Sequence, residues 1–176
     1  MELHYEPAAL HRKQVKALFL SAFPREERPP IRLLYRRSRQ GKASFRAVME
    51  GEKFVGLALT TGSSQVKTLM FLAIDDACRG KGYGSQVLRM MGEEFADVPF
   101  FLCAEPLDDN APNREERVNR LRFYAGNGFE EIGLRVKEAG VEYTVLTPGQ
   151  PLTLAQYREA VRVFFGPLRF WLICRS

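Results

Sequence analysis

A glycine-rich turn between an apolar run and an amphipathic run is the feature that most restricts how this chain can fold. The run before the turn, VKTLMFLAID at residues 66–75, is largely apolar and predicts a central strand. The run after the turn, at residues 84–96, has helical periodicity. Between them stands CRGKGYG, in which Gly80, Gly82 and Gly84 alternate with other residues. This order predicts an α/β fold with the turn at a helix N-terminus.

The chain before this strand predicts two helices and a hairpin. In order, we expect a strand at residues 4–6, helices over residues 8–23 and 31–40, and a two-stranded hairpin over residues 44–62 that turns at residues 50–52. Pro24 ends the first helix, and Pro30 lies near the first turn of the second.

The chain after the turn continues with alternating elements. We expect a strand within residues 98–107, a helix from Asn113 to Gly126, a hairpin over residues 129–147 and a last helix ending near Phe165. Asn113 and Glu116 have the spacing of a capping box. Strand, helix and strand in succession imply a right-handed crossover and a parallel pair. The predicted fold is a single α/β domain whose mostly antiparallel sheet has one central parallel pair and is flanked by helices.

Length and composition narrow the class of protein. The 176 residues suit one domain, with residues 1–148 as its core and residues 149–176 as a helix and apolar tail packed on it. A net charge of +5 permits nucleic acid, an anionic membrane or a polyanionic cofactor as partner. Three cysteines and two histidines predict no disulfide framework and no metal site. The N-terminus lacks an apolar signal core, so we expect a cytoplasmic protein.

The apolar tail LRFWLIC, at residues 168–174, raises the question of a membrane. It is too short for a span, which needs about 20 apolar residues. We therefore expect a packed C-terminal element or a homodimer contact, with a membrane-surface role as the alternative.

The glycine-rich turn has the chemistry of an anion site. Glycines let backbone N–H groups approach an anion closely, and Arg79 and Lys81 add positive charge. The string is neither a P-loop, which needs GxxxxGK, nor the dinucleotide fingerprint GxGxxG.

Two motifs resemble those of one family. Residues 79–84, RGKGYG, resemble the (R/Q)xxGx(G/A) pyrophosphate loop of the GNAT superfamily of N-acetyltransferases. Residues 120–133, RLRFYAGNGFEEIG, resemble the family's later motif, and the element order agrees over residues 3–147. Arg117 and Arg120 depart from the family pattern, which often has Asn and Ala there. Asn113 and Asn119 are alternatives for the missing asparagine contact.

The resemblance implies acetyl-CoA as cosubstrate and direct attack of an amine on the thioester. It implies that the end of the central strand binds the cofactor arm and supplies an oxyanion N–H, and that the turn holds the pyrophosphate. The cofactor-binding residues expected on this basis are Leu72, Ala73, Ile74, Arg79, Gly80, Lys81, Gly82, Tyr83, Gly84, Ser85 and Asn113. Tyr124 is expected to protonate or hydrogen-bond the departing thiolate. The alternative is an interior aromatic residue whose hydroxyl is satisfied locally. Glu105 is a candidate base, with a surface carboxylate as its rival.

Other reactive or charged residues have simpler interpretations. Glu26 and Glu27 either bind a cationic acceptor or cap the next helix, and we favour the cap. Cys78 is expected to be a small, partly buried residue and not a nucleophile. The basic run at residues 36–39 is expected to be a solvated helix end, with contact to RNA or to an acidic acceptor as the alternative.

The sequence thus predicts transfer of an acetyl group to a primary amine. The acceptor is expected to be a small molecule, with a protein N-terminus or a lysine still open, and we expect neither nucleic acid nor membrane as partner. Two alternatives remain: a non-catalytic module that senses CoA or another phospho-ligand, and a nucleic-acid-binding protein.

Overall fold

The computed structural model describes residues 2–167 and residue 170, and its elements follow the predicted order. The strands are β1 (Leu3–Pro7), β2 (Ala43–Glu50), β3 (Lys53–Gly62), β4 (Lys67–Ile74), β5 (Phe100–Ala104), β6 (Glu130–Glu138) and β7 (Val141–Thr147). The α-helices are α1 (Arg12–Ala22), α2 (Ile31–Arg39), α3 (Tyr83–Glu94), α4 (Arg114–Ala125) and α5 (Leu154–Phe165). Short 3-10 helices cover Arg25–Glu27 and Asp76–Cys78.

The described strands form one seven-stranded sheet in the order β1-β2-β3-β4-β5-β7-β6. The sheet is mostly antiparallel, and β4 and β5 are its parallel pair. The predicted α/β fold class and the central place of β4 are therefore confirmed. By its contacts the chain forms two compact units: residues up to Thr61 with Leu69–Met91, and Gly62–Thr68 with the described residues from Gly92 onward.

The first unit holds most of β4 and most of α3 against a well-packed core. Phe71 of β4 meets Phe19 of α1 and Phe23, with ring centroids 5.3 Å and 4.9 Å apart. On α3, Val87 and Met91 are fully buried. Edge-to-face aromatic contacts and buried apolar side chains fix both elements that flank the glycine-rich turn.

The second unit packs α5 on its strands. Tyr157, Ala160 and Val161 of α5 share a buried cluster with Phe101 of β5 and Val145 of β7. The helix begins with a capping box, in which Thr153 and Gln156 bond each other's backbone N–H groups. At its other end the helix stops at Phe165, as the sequence predicts. Apart from residue 170, the predicted apolar tail lies outside the described residues.

Two local predictions are wrong. Asn113 is the residue before α4, but its side chain makes no cap hydrogen bond, because its Oδ1 accepts from Arg117 Nε and its Nδ2 donates to Glu105. In the basic run, Arg37 is buried and donates to Gln40 Oε1 at 3.1 Å, so this residue is not a solvated helix end. Arg36 and Arg39 are exposed.

Among the helices within residues 2–167, we find none that is both long and apolar enough to cross a membrane.

Candidate functional site

The glycine-rich turn has the backbone geometry of an anion-binding nest. Gly80 and Gly82 have φ angles of 76° and 77°, in the left-handed region that favours glycine. Both are exposed, and an added Cβ at either would meet no atom within 4 Å. Gly84 differs, since it lies in the first turn of α3. The alternation of left-handed glycines with other residues is the conformation in which successive N–H groups converge on an anion.

The helix that follows adds further donors. Gln86 N–H donates to Gly82 O at 3.0 Å, which is the first bond of α3. The preceding N–H groups, including that of Ser85, therefore have no partner one turn earlier in the helix. They point along the positive end of the helix dipole, where a phosphate is stabilised.

The cationic side chains of the turn are accessible. Arg79 forms an ion pair with Asp76 at 2.8 Å, and both side chains are more than half exposed. An exposed pair of this kind contributes at most about 1 kcal/mol, so Arg79 can exchange it for a phosphate. Lys81 is exposed as well.

Tyr83 lies in the turn motif but points into the first unit. Its side chain is 8% exposed, and its hydroxyl donates to Glu50 Oε2 at 2.7 Å. The bond to Glu50 is the main cause of a raised pKa of Tyr83. The ring therefore anchors the turn to the end of β2, and Tyr83 presents its backbone, not its phenol, as a donor. Nothing in the sequence marks Glu50 as this partner, because the two residues are 33 positions apart.

The end of β4 is held tightly beside β3. Leu72, Ala73 and Ile74 are its last residues. A Cβ on Gly56 would lie 2.4 Å from Ala73 O, so β3 approaches β4 at a point where only glycine fits. Beyond the strand, Asp75 N–H donates to Val55 O at 2.9 Å. This packing fixes the strand end for which the resemblance implies cofactor contacts.

Tyr124 lies on α4 in the second unit, beside aromatic rings. Its ring centroid is 5.4 Å from that of Phe123 and 6.2 Å from that of Phe129. Burial raises the pKa of Tyr124, and nearby Arg120 partly opposes this effect. Within the described part of the chain, no group hydrogen-bonds its hydroxyl.

Glu105 is not a surface carboxylate. It is 5% exposed and follows directly after β5. Its Oε1 accepts from Arg117 at 2.6 Å, and its Oε2 accepts from Arg120 at 3.3 Å and from Asn113 at 3.2 Å. Glu105 therefore contacts both Arg117 and Arg120, the two arginines that depart from the family pattern. A base must have a free lone pair facing the amine, so this pairing favours a structural role for Glu105.

Two further residues were singled out in the sequence, Cys78 and Glu27. Cys78 is 1% exposed at the end of the short 3-10 helix before the turn, which fits a buried residue and not a nucleophile. Glu27 ends the other 3-10 helix, between α1 and α2.

Comparison with solved structures identifies the fold. An acetyltransferase of the GNAT family from Bacteroides thetaiotaomicron matches with a TM-score of 0.71 and 20% identity, covering 88% of this chain and 91% of that one. Arabidopsis thaliana Naa50, in complex with a bisubstrate analogue containing CoA, matches with a TM-score of 0.63 and 15% identity, covering 86% and 100%. The aminoglycoside 6'-N-acetyltransferase from Enterococcus faecium matches with a TM-score of 0.61 and 14% identity, covering 87% and 100%.

The sequence alone matches no protein-family model and no curated protein. The structural similarity, in contrast, identifies the architecture: this chain has the fold of the GNAT acetyltransferases.

Proposed function

We propose that this protein is an acetyltransferase that moves the acetyl group of acetyl-CoA to a primary amine. The observation that carries the proposal is the turn between β4 and α3, where Gly80 and Gly82 adopt left-handed conformations. A pyrophosphate matches this turn, because it offers several oxygens to several N–H groups and to Arg79 and Lys81. The fold supports the same ligand, since Naa50 of that fold is in complex with a CoA-containing analogue.

The chemical step follows from the thioester. The amine nitrogen forms a bond to the acyl carbon, the tetrahedral oxyanion collapses, and the C–S bond breaks. The sulfur takes a proton and leaves as free thiol, while the attacking nitrogen loses one proton to solvent or to a base. Backbone N–H groups at the end of β4, at Leu72 or Ala73, are proposed to stabilise the oxyanion.

Tyr124 is proposed to protonate the departing sulfur. A raised pKa keeps its phenol protonated at neutral pH, which an acid requires. Its hydroxyl forms no hydrogen bond with any described residue, so it is available to a substrate.

The acceptor is proposed to be a small molecule. The aminoglycoside enzyme of Enterococcus faecium shares the fold, but so does Naa50, whose bisubstrate analogue includes the sequence MVNAL. The fold alone therefore does not choose the acceptor.

Release of free thiol from acetyl-CoA in the presence of a panel of primary amines tests the proposal. We expect turnover with at least one amine, and a fall in kcat of about 100-fold or more for Tyr124→Phe, with CoA affinity retained. Tyr35→Phe is the matched control, because among the described residues the Tyr35 hydroxyl makes only a 3.5 Å contact, with Ala8 O. CoA binding without turnover on the whole panel would contradict the enzyme and support a sensor.

A further inference from the structure

The arginine pair on α4 forms an unbalanced, partly buried charge cluster. Arg117 and Arg120 both contact the carboxylate of Glu105, at 2.6 Å and 3.3 Å. Two guanidinium groups against one carboxylate leave one positive charge in surplus. Buried or half-buried charge is costly unless a counter-charge completes it, so the cluster is suited to a further anion.

The two arginines differ in how many of their donors are engaged. Arg117 uses Nε on Asn113 Oδ1 at 2.8 Å, Nη1 on Pro106 O at 3.1 Å and Nη2 on Glu105. Arg120 uses Nη1 alone, and 37% of its side chain is exposed. Arg117 is therefore a fixed part of the protein, whereas Arg120 has N–H groups to offer.

No acidic side chain of α4 neutralises Arg120. Glu116 lies one turn earlier on the helix and is exposed, but it forms no ion pair with any residue in the described part of the chain. Glu115 is exposed too. The surplus charge of Arg120 is thus available to a ligand.

Tyr124 adds a second donor on the same face of α4. Residues four positions apart are neighbours on a helix, so the phenol of Tyr124 and the guanidinium of Arg120 lie side by side. The influence of Arg120 on the pKa of Tyr124 agrees with this proximity.

We propose that Arg120, held in place by Glu105, binds a carboxylate of the substrate next to Tyr124. A guanidinium matches a carboxylate in shape and charge, and its remaining N–H groups can bind two oxygens at once. Glu105 is then a positioning residue and not the base. This inference rests on the proposed function, because it places the carboxylate on a reactant of the acetyl transfer.

The carboxylate has two chemical sources. It belongs either to an acceptor amine that also carries a carboxylate, such as an amino acid, or to an acyl-CoA whose acyl group ends in one.

Two arms of one experiment separate the sources. The first compares an ω-amino acid with its ω-amino amide, whose amines have similar basicity, using acetyl-CoA. The second compares succinyl-CoA with butyryl-CoA, using a neutral primary amine.

Each arm compares a pair of compounds, one member with the carboxylate and one neutral member without it. In one of the two arms, we expect kcat/KM for the carboxylate-bearing member to be about tenfold or more higher than for the neutral member. Arg120→Gln should abolish that preference while turnover of the neutral member persists. Arg122→Gln is the matched control, since Arg122 is an exposed arginine of the same helix, and it should keep the preference.

Glu105→Gln separates positioning from base catalysis. If Glu105 positions Arg120, the variant loses the carboxylate preference, mainly through KM, and still turns over the neutral member. An equal collapse of kcat for both members, in a variant that unfolds at the wild-type temperature, would instead identify a base and overturn the positioning role.

The inference and the proposed function fail in different ways. Equal rates for both members in both arms, or a preference that survives Arg120→Gln, would overturn the inference alone. Absence of turnover with every pair would overturn the proposed function and this inference together.

Discussion

At the scale of single residues, the sequence predicts positions governed by the backbone better than contacts between side chains. Gly80 and Gly82 are recognisable because only glycine tolerates their left-handed φ at no cost. The partners of Glu105 are not recognisable, because Arg117 and Arg120 reach it from 12 and 15 positions away. Such contacts depend on how α4 packs beside β5, which periodicity does not encode.

A partly buried carboxyl group, that of Glu138, gives a prediction at this scale. Burial raises the pKa of Glu138, whose Oε1 accepts from the Tyr157 hydroxyl at 2.5 Å. Because the folded pKa lies above the unfolded value, stability is full below the unfolded pKa and falls as pH rises through the folded one. We expect the free energy of unfolding to fall as pH rises above about 4.5, the ordinary value for a glutamate, by about 1.4 kcal/mol for each unit by which the pKa is raised.

Denaturant unfolding of wild type and Glu138→Gln across this pH range is the measurement. The variant should lack this decline, whereas Glu142→Gln, which alters an exposed glutamate of β7, should retain it. Identical pH profiles for wild type and Glu138→Gln would contradict the assignment.

At the scale of elements, the sequence predicts the order of strands and helices but not the helix caps. The first hairpin turns within the predicted residues 50–52, because the patterns on either side are strong. The capping box predicted at Asn113 is wrong, since the Glu105 cluster competes for its amide. A capping box does form at Thr153, at the start of α5, whose buried side chains belong to the core of the second unit.

Removing this cap should destabilise the protein measurably. Thr153 Oγ1 accepts from Gln156 N–H at 3.2 Å, so Thr153→Ala leaves that donor without its partner. We expect a loss of about 1 kcal/mol in the free energy of unfolding. Thr153→Ser keeps the hydroxyl and should stay close to wild type. Equal losses in the two variants would show that the side-chain oxygen is not what matters.

At the scale of the whole molecule, the fold follows from the order of elements, but the reaction does not. The glycine-rich turn after β4 and the aromatic motif of α4 together predict the architecture that the solved structures share. Solved structures with this fold include an aminoglycoside acetyltransferase and a protein bound to an analogue that includes a peptide sequence, so the acceptor depends on local side chains. The binding of CoA is the property on which the whole account depends.

Calorimetric titration of CoA into wild type, Gly82→Asp and Gly41→Asp tests that property most directly. Gly82 and Gly41 have similar φ angles of 77° and 67° and open space at Cβ, so both variants carry the same backbone strain and the same added charge. We predict that wild type and Gly41→Asp bind CoA alike and that Gly82→Asp binds it at least about tenfold more weakly, about 1.4 kcal/mol. No CoA binding by the wild type, or equal affinity in the two variants, would contradict the account.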